Sequence, residues 1–211
     1  MGIGTTASNI ADFLLQIKAV KLSPAAPFKW ASGWNSPIYC DNRIALSHPR
    51  IRTYIRQELV KMIDEKFGSP DLIAGVATGA IAQGALVAES LGLPFVYVRP
   101  APKDHGTKNQ IEGEVKHNQT CVVVEDLIST GQSSLKAVAA LRDAGVVVKG
   151  MVSIFTYGFP LASESFKNAS CPVYSLSNYD VLIDRASKLG YISDKDMDRL
   201  RVWKEAPEKW S

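Results

Sequence analysis

Apolar residues are spaced in two different ways along the chain. In residues 8–19 and 49–67 they return every three or four positions, which places them on one face of a helix. From residue 71 onward, short runs of mostly β-branched apolar residues, typical of buried strands, alternate with helical stretches. Strands are predicted at 71–76, 95–98, 121–126, 146–155 and 172–176. Further helices are predicted at 79–92, 133–144, 178–190 and 193–206.

This alternation of strands and helices predicts the α/β class. Parallel strands need crossover connections, and helices then cover both faces of the sheet. Residues 20–42 break the pattern with prolines and aromatic residues, so short strands and turns are expected there. We predict a single domain, residues 1–211, with a ligand-binding core at 70–156 and a small N-terminal appendage at 1–45.

Composition excludes several classes of function. The chain has 211 residues, of which 46% are hydrophobic, so one domain can bury a sizeable core. The net charge is only +3 and there is no block of lysine and arginine, which argues against nucleic acid as a partner. No apolar run approaches the ~20 residues of a membrane span. Three scattered cysteines fit neither a disulfide framework nor a zinc site and favour a cytoplasmic location.

The most informative stretch is CVVVEDLISTGQSS, residues 121–134. A buried strand is expected to end on the two adjacent acids, and a loop of small hydroxylated residues then leads into a helix. Backbone N–H groups, hydroxyl groups and the positive end of the helix together suit a phosphate. Ionised carboxylates only accept hydrogen bonds, so the acids suit the hydroxyl groups of a sugar or share a divalent cation. No lysine follows the loop as in nucleotide-triphosphate-binding loops, so an NTPase is disfavoured.

These residue types also have a simpler explanation. Acids cap helices and serines form turns in many proteins that bind no ligand at these positions. The complete ordered string, placed at the carboxyl end of a strand in a parallel sheet, favours instead a ligand with a phosphate at one end and a pair of hydroxyl groups.

The same string is similar to the phosphoribosyl pyrophosphate (PRPP) signature of the type I phosphoribosyltransferases. The resemblance implies a type I phosphoribosyltransferase-like parallel sheet flanked by helices. It also implies that the loop binds the 5-phosphate of PRPP and that the acid pair faces the ribose hydroxyls. The PRPP-binding residues implied in this way are Glu125, Asp126, Leu127, Ile128, Ser129, Thr130, Gly131, Gln132 and Ser133, together with Thr78 and Gly79.

A second motif follows the strand predicted at 95–98. Residues 97–114 read YVRPAPKDHGTKNQIEGE and place Arg99, Lys103 and His105 in a long loop with glycines. A mobile loop of this kind can stabilise the negative charge of departing pyrophosphate and exclude water. A solvated basic surface loop is the alternative, although so long a loop in a compact domain is unusual unless it is functional. We predict that these three residues are catalytic and contact PRPP.

The pattern RxxxKDHG resembles the catalytic loop of the orotate phosphoribosyltransferase family. The stretches SGWNSPIYCDNR (32–43) and GVATGA (75–80) extend the resemblance over most of the chain. It implies transfer of the phosphoribosyl group from PRPP to orotate, giving orotidine 5-phosphate and pyrophosphate in de novo pyrimidine (UMP) biosynthesis. It also implies a homodimer in which the 99–116 loop acts at the active site of the neighbouring subunit. The implied cofactor is Mg²⁺, held mainly by PRPP and reached by Asp126 through water, with no direct protein ligand.

The residues that bind orotate are harder to assign. The N-terminal appendage is expected to cover the base, which makes Tyr39 and Arg43 candidates, and Ser129 is a candidate from its place in the PRPP motif. The guanidinium of Arg43 offers a bidentate fork to the orotate carboxylate. A surface ion pair is the alternative for this arginine.

The sequence departs from the family pattern at positions that carry charge. Pro100 follows the loop arginine where many members have a lysine, and Ala31 replaces a ligand-binding lysine. Thr156 or Tyr157 stands where some members have an arginine for orotate. Two other functions therefore stay open: phosphoribosyl transfer to a purine base, and a PRPP-sensing regulator that binds nucleic acid and does no chemistry.

Overall fold

A computed structural model describes residues 5–30, 33–101 and 110–210 of the chain. Its helices are α1 (Thr6–Gln16), α2 (Pro49–Phe67), α3 (Ile81–Leu91), α4 (Gln132–Asp143), α5 (Pro160–Asn168), α6 (Tyr179–Lys188) and α7 (Asp194–Glu205), with 3₁₀ turns at Asn42–Ser47 and Pro207–Lys209. Its strands are β1 (Val20–Leu22), β2 (Phe28–Lys29), β3 (Asn35–Ser36), β4 (Ile38–Cys40), β5 (Leu72–Val76), β6 (Phe95–Val98), β7 (Ile111–Glu112), β8 (Thr120–Ile128), β9 (Val147–Thr156) and β10 (Val173–Asn178).

Six strands form one central sheet in the order β10-β9-β8-β5-β6-β7. The first five run parallel, and β7 pairs antiparallel with β6 at the edge. Strand β5 is buried at every position, as expected for a parallel strand covered by helices on both faces. The predicted α/β class with helices flanking a largely parallel sheet is confirmed.

Three of the differences between the structure and the sequence-based boundaries have a clear physical reason. Strand β8 does not end at the two acids but continues through them to Ile128, because it stays paired with β9 as far as Thr156. Strand β7 lies in the polar stretch between β6 and β8. A strand of only two residues is too short to show the alternation of apolar and polar positions that predicts a strand. Helix α5, which begins at Pro160, is not predicted, since it has only nine residues and buries only Ala162 and Phe166.

The N-terminal residues form two structurally distinct parts. Helix α1 packs on the main domain: its Asp12 accepts a bidentate bond from Arg185 of α6, with N–O distances of 2.7 and 2.8 Å. After it, β1 pairs with β4 and β2 pairs with β3 in two small antiparallel sheets. We call residues 20–43 the hood. The division into an appendage at 1–45 and a core at 70–156 stays a prediction.

An aromatic cluster attaches the hood to the C-terminal half of the chain. It comprises Trp30 of the hood, Tyr157 and Phe159 after β9, Tyr179 of α6 and Trp203 of α7. Trp203 is fully buried, and its indole Nε1 donates to the backbone oxygen of Asn35 in β3 at 3.2 Å. The last long helix of the chain therefore holds the hood in place.

Within the described part of the chain, no helix combines the length and the apolar composition needed to cross a membrane.

Candidate active site

A polar cavity of about 350 Å³ opens at the carboxyl ends of β5 and β8. It is lined by Cys40, Asp41, Arg43, Val76, Ala77, Thr78, Gly79, Glu125, Asp126, Leu127, Ser129, Thr130, Gly131, Gln132, Ser133 and Ser134. Three segments that are far apart in the sequence thus meet here: the hood, the β5–α3 connection and the β8–α4 connection. This is the position at which parallel α/β sheets bind ligands.

The β8–α4 connection has the form of an anion-binding turn. Gly131 has a φ of +78°, a left-handed conformation that favours glycine, and α4 begins at the next residue. The first N–H groups of a helix have no intrahelical acceptor, so those of residues 132–134 are available to a ligand at the positive end of α4. The hydroxyl groups of Ser129, Thr130 and Ser133 surround the same turn. A phosphate group fits this arrangement.

The two adjacent acids occupy different environments. Glu125 is buried, and its carboxyl group accepts bonds from Ser134 Oγ at 2.7 Å and from the backbone N–H of Asp126 at 2.9 Å. Burial, together with the neighbouring Asp126 charge, raises the pKa of Glu125 to about 8. Asp126 is only half-buried. Asp126 is therefore the carboxylate better placed to accept bonds from a sugar, and Glu125 holds the Asp126 backbone through its N–H group.

Gly79 allows the β5–α3 connection to approach Asp126 closely. A Cβ atom added at Gly79 would lie 2.2 Å from Asp126 Oδ2 and 2.4 Å from Cγ. On the hood side, Asn42 Nδ2 donates to the backbone oxygen of Asp126 at 2.6 Å. Contacts from two other segments thus fix the position of this residue.

A second cavity, of about 370 Å³, adjoins the polar cavity beneath the hood. It is lined by Lys29, Trp30, Trp34, Tyr39, Cys40, Leu127, Ser129, Thr130 and Tyr157. We call it the aromatic cavity. The two cavities share four lining residues, which are Cys40, Leu127, Ser129 and Thr130. A ligand with a phosphorylated sugar at one end and a flat ring at the other can therefore span both.

Several polar groups at this junction are held neutral or already paired. Burial, with smaller contributions from Asp126 and Asp41, raises the pKa of the Cys40 thiol, so it does not act as a thiolate nucleophile. Burial likewise raises the pKa of the Tyr157 phenol well above its usual value. Arg43 makes a bidentate pair with Asp41, with N–O distances of 2.7 and 2.9 Å.

The structure brings most, but not all, of the predicted site residues together. Thr78, Gly79 and Arg43 line the polar cavity with the β8–α4 residues, and Tyr39 and Ser129 line the aromatic one. The Ile128 side chain reaches neither cavity, because it is buried in the core on the opposite side of β8.

Arg99 lies at the end of β6, away from the lining of both cavities. It pairs with Glu112 of β7 at 3.8 Å, and its backbone exchanges bonds with Gln110, so the two ends of the predicted catalytic loop are held together. Lys103 and His105, like Ala31 of the hood, lie outside the described residues.

Sequence reasoning missed other lining residues of the two cavities. Cys40 ends a strand of only three residues and Asp41 directly follows it, which is too short a pattern to mark either as a lining residue. Lys29, Trp30 and Trp34 line the aromatic cavity from the region of short strands and turns expected at residues 20–42, but their spacing does not predict that they face a ligand. The only sequence signal for this cavity was the number of aromatic residues just before SPIYCDNR.

Comparison with known proteins identifies the family. A model of the phosphoribosyl transferase domain matches residues 45–175. An orotate phosphoribosyltransferase of Porphyromonas gingivalis is 55% identical over 206 residues, which cover 98% of this chain and 98% of that protein. One from Bacteroides thetaiotaomicron is 58% identical over 200 residues, covering 95% of this chain and 94% of that protein. The chain belongs to the orotate phosphoribosyltransferase family, within the larger group of phosphoribosyl transferase domain proteins.

Solved structures agree with this family. The crystal structure of orotate phosphoribosyltransferase from Aeropyrum pernix superposes with a TM-score of 0.75 at 29% identity, covering 87% of this chain and 99% of that chain. The fold alone does not identify the base. An adenine phosphoribosyltransferase of Leishmania tarentolae also superposes, with a TM-score of 0.63 at 23% identity over 88% of this chain and 97% of that one.

Proposed function

We propose that this chain is an orotate phosphoribosyltransferase, which transfers the phosphoribosyl group of PRPP to orotate and releases orotidine 5-phosphate and pyrophosphate. The observation that carries the proposal is the junction of the two cavities at Ser129 and Thr130. A phosphoribosyl donor and a planar acceptor must meet at one carbon atom, and the junction brings a phosphate-binding turn and an aromatic cavity to a common boundary.

Each part of PRPP has a matching group in the polar cavity. The 5-phosphate binds at the start of α4, where backbone N–H groups and serine and threonine hydroxyls converge. The ribose hydroxyls donate to Asp126, and the pyrophosphate lies towards Thr78 and Gly79, whose backbone N–H groups are its donors. The ribose C1 then faces the aromatic cavity, where the base binds beside Tyr39 and Ser129.

The reaction needs no covalent intermediate with the protein. The bond from C1 to pyrophosphate breaks as N1 of orotate adds from the opposite face, and the N1 proton is released to pyrophosphate or solvent. Positive charge develops on the ribose and negative charge on pyrophosphate during this step. Arg99, Lys103 and His105 stabilise the departing pyrophosphate, and loop closure excludes water. The pairing of β6 with β7 supports this role, since it holds both ends of the loop at the sheet edge next to β5.

We further propose that the loop at 99–116 acts across a homodimer, at the active site of the neighbouring subunit. The support is the resemblance of its motif to the catalytic loop of the family. Arg99 is consistent with this arrangement, because it lies outside the lining of both cavities of its own chain.

Mg²⁺ is the proposed cofactor. No group of three or more His, Cys, Asp or Glu side chains among residues 5–30, 33–101 and 110–210 is arranged to hold a metal ion. Two partly exposed carboxylates line the polar cavity, and Asp41 is already paired with Arg43, so Asp126 is the carboxylate that we propose for the ion. This donor set fits Mg²⁺, which keeps several waters and is commonly held by one or two carboxylates and the phosphates of a substrate. When bound, the ion neutralises charge on the pyrophosphate group.

We place the reaction in the cytoplasm, in the synthesis of pyrimidine nucleotides. The three cysteines support a reducing compartment, since all are free thiols.

The direct test is an absorbance assay of orotate consumption. Loss of orotate that requires both PRPP and magnesium is the expected result, with no reaction after chelation of magnesium. Uracil and hypoxanthine replace orotate in parallel reactions. Turnover with hypoxanthine and none with orotate would overturn the proposal in favour of a purine enzyme, and absence of turnover with every base would favour a PRPP-binding regulator.

A further inference from the structure

Orotate brings a negative charge into a cavity that is mostly aromatic. It differs from uracil by a carboxylate on the ring, and this group is ionised at neutral pH. A carboxylate taken from water into such surroundings without a cation is strongly disfavoured. If the proposed function is correct, on which this inference rests, a positively charged side chain is needed beside the base.

The residues that the sequence places near the orotate carboxylate do not supply this positive charge. Thr156 and Tyr157 carry no charge, and Tyr157 stays a neutral phenol because burial raises its pKa. The Arg43 guanidinium already donates two bonds to Asp41, and that contact holds the pKa of Asp41 below its usual value. Arg43 also lines the polar cavity, not the aromatic one.

Lys29 is the only basic residue among the described residues that line the aromatic cavity. It is exposed, and no carboxylate in the described part of the chain forms an ion pair with it. We propose that the Lys29 ammonium binds the orotate carboxylate and thereby makes the enzyme specific for an anionic pyrimidine.

The hairpin that carries Lys29 is fixed from outside the hood. Lys29 lies directly opposite Asn35 in the β2–β3 pair. The backbone oxygen of Asn35 accepts the indole N–H of Trp203 at 3.2 Å, and Trp203 is fully buried. The neighbouring Trp30 ring lies 5.6 Å from Trp203. The backbone around Lys29 is therefore positioned before orotate binds, and only the flexible lysine side chain has to order.

The electrostatic environment also favours a lysine at this point. The polar cavity carries the carboxylates of Asp41 and Asp126, which would repel an orotate carboxylate turned towards them. Lys29 lines the aromatic cavity and not the polar one, so its ammonium attracts the carboxylate to the cavity that these acids do not line. This placement of the carboxylate leaves the rest of the ring facing the junction with the polar cavity, where the ribose C1 is proposed to lie.

The test compares Lys29→Met, which keeps the length of the side chain and removes the charge, with Lys29→Arg. A charged hydrogen bond is worth about 10- to 100-fold in binding. We expect Lys29→Met to raise the KM for orotate by at least about 10-fold and leave the KM for PRPP within about twofold. Lys29→Arg should restore most of the orotate affinity. Lys61→Met is the matched control, since Lys61 lies on the exposed face of α2, and it should change neither constant.

The outcomes separate this inference from the proposed function. If the wild-type protein consumes orotate and Lys29→Met leaves the KM for orotate unchanged, the assignment of Lys29 is overturned and the proposed function stands. Equal loss for orotate and PRPP would also overturn it, because it would show a general disturbance of the hood. A wild-type protein without orotate turnover would instead overturn the proposed function. Circular dichroism and thermal unfolding of each variant establish that it is folded.

Discussion

The polar and aromatic cavities adjoin, yet they are built in different ways. Most of the polar cavity comes from two short connections that follow parallel strands, and its ligand groups are largely backbone N–H groups and small hydroxyls. The aromatic cavity is enclosed by large side chains from the hood, β8 and the residue after β9, supported from behind by α7. Backbone geometry therefore defines the proposed site for phosphoribose, whereas long-range side-chain packing defines the proposed site for the base.

This difference matters for how one fold serves different bases. The proposed phosphoribose half is built from a strand, a turn and a helix that belong to the central sheet and its crossover. The base half depends on separate segments that can change without disturbing the sheet. Substitutions in the first region are thus expected to affect PRPP and turnover, and substitutions in the second to affect mainly orotate.

The largest effect is expected for Gly79→Ala in the polar cavity. The added methyl group would meet the Asp126 carboxylate at 2.2 Å, so either the loop or Asp126 must move. A displacement of about 1 Å in a reacting geometry costs on the order of 100-fold, and we expect at least that loss in kcat/KM for PRPP.

Gly92→Ala is the control for Gly79→Ala. Gly92 has a φ of +64° and nothing within 4 Å of an added Cβ, so alanine strains the backbone without touching the site. It should lower stability by about 1–2 kcal/mol and leave turnover unchanged. Equal activity of the two variants would contradict the proposed role of the Gly79 contact.

Lys103→Ala tests the catalytic loop. We expect turnover to fall by ~100-fold or more, since the ammonium is proposed to stabilise charge that appears only as pyrophosphate departs. PRPP affinity, measured by titration calorimetry, should be largely retained. Unchanged turnover would remove Lys103 from the mechanism.

Mixing this variant with an Asp126→Asn variant tests whether the loop acts across a dimer. If it does, a hybrid dimer has one site that combines an intact Asp126 from one subunit with an intact Lys103 from the other, and activity returns.

Trp203→Phe probes the aromatic half. Phenylalanine keeps most of the ring packing but removes the N–H bond to Asn35, which is worth about 1 kcal/mol. The KM for orotate should rise roughly fivefold, while the KM for PRPP stays constant. A rise in the PRPP constant alone would contradict the separation of the two regions.

Glu125→Gln tests the buried acid through stability instead of activity. The pKa of Glu125 is raised to about 8 in the folded protein, whereas a glutamate in the unfolded chain has a pKa of about 4.3. Between these two pH values, the folded protein keeps a proton on Glu125 that the unfolded chain has released. The free energy of unfolding should therefore fall as pH rises through this window, by on the order of a few kcal/mol. Glutamine should flatten this dependence in denaturant titrations, whereas Glu89→Gln on the exposed face of α3 should not. The same slope in both variants would contradict the assigned pKa.

The smallest effect is expected for Arg43→Gln. Its side chain is 55% exposed and pairs with Asp41, and such surface pairs contribute up to about 1 kcal/mol. Stability and the KM for orotate should change little. A tenfold rise in the KM for orotate would show that Arg43, and not Lys29, binds the carboxylate.

The sequence predicted these two regions to different extents, for a physical reason. Contiguous patterns such as CVVVEDLISTGQSS encode both a strand and the turn after it, so the order of the main elements and most residues that line the polar cavity could be predicted. The aromatic cavity joins Lys29, Tyr39 and Tyr157, which come together only through tertiary packing. Local spacing contains no signal for that contact.

The difference in character between Glu125 and Asp126 could not be predicted either. Both are adjacent acids in the sequence, and the motif implied that they act as a pair. Alternation along β8 turns Glu125 inward to Ser134 and leaves Asp126 at the cavity. Burial of this kind depends on the helix packed against the strand, which is known only from the structure.

The most direct test of the two-cavity account is a crystal structure with orotidine 5-phosphate bound. We predict the phosphate at the start of α4 beside Thr130 and Ser133, and the pyrimidine ring in the aromatic cavity with its carboxylate near Lys29. A phosphate at the β8–α4 turn with the ring outside the aromatic cavity would contradict the account, because the hood would then have no part in binding the base.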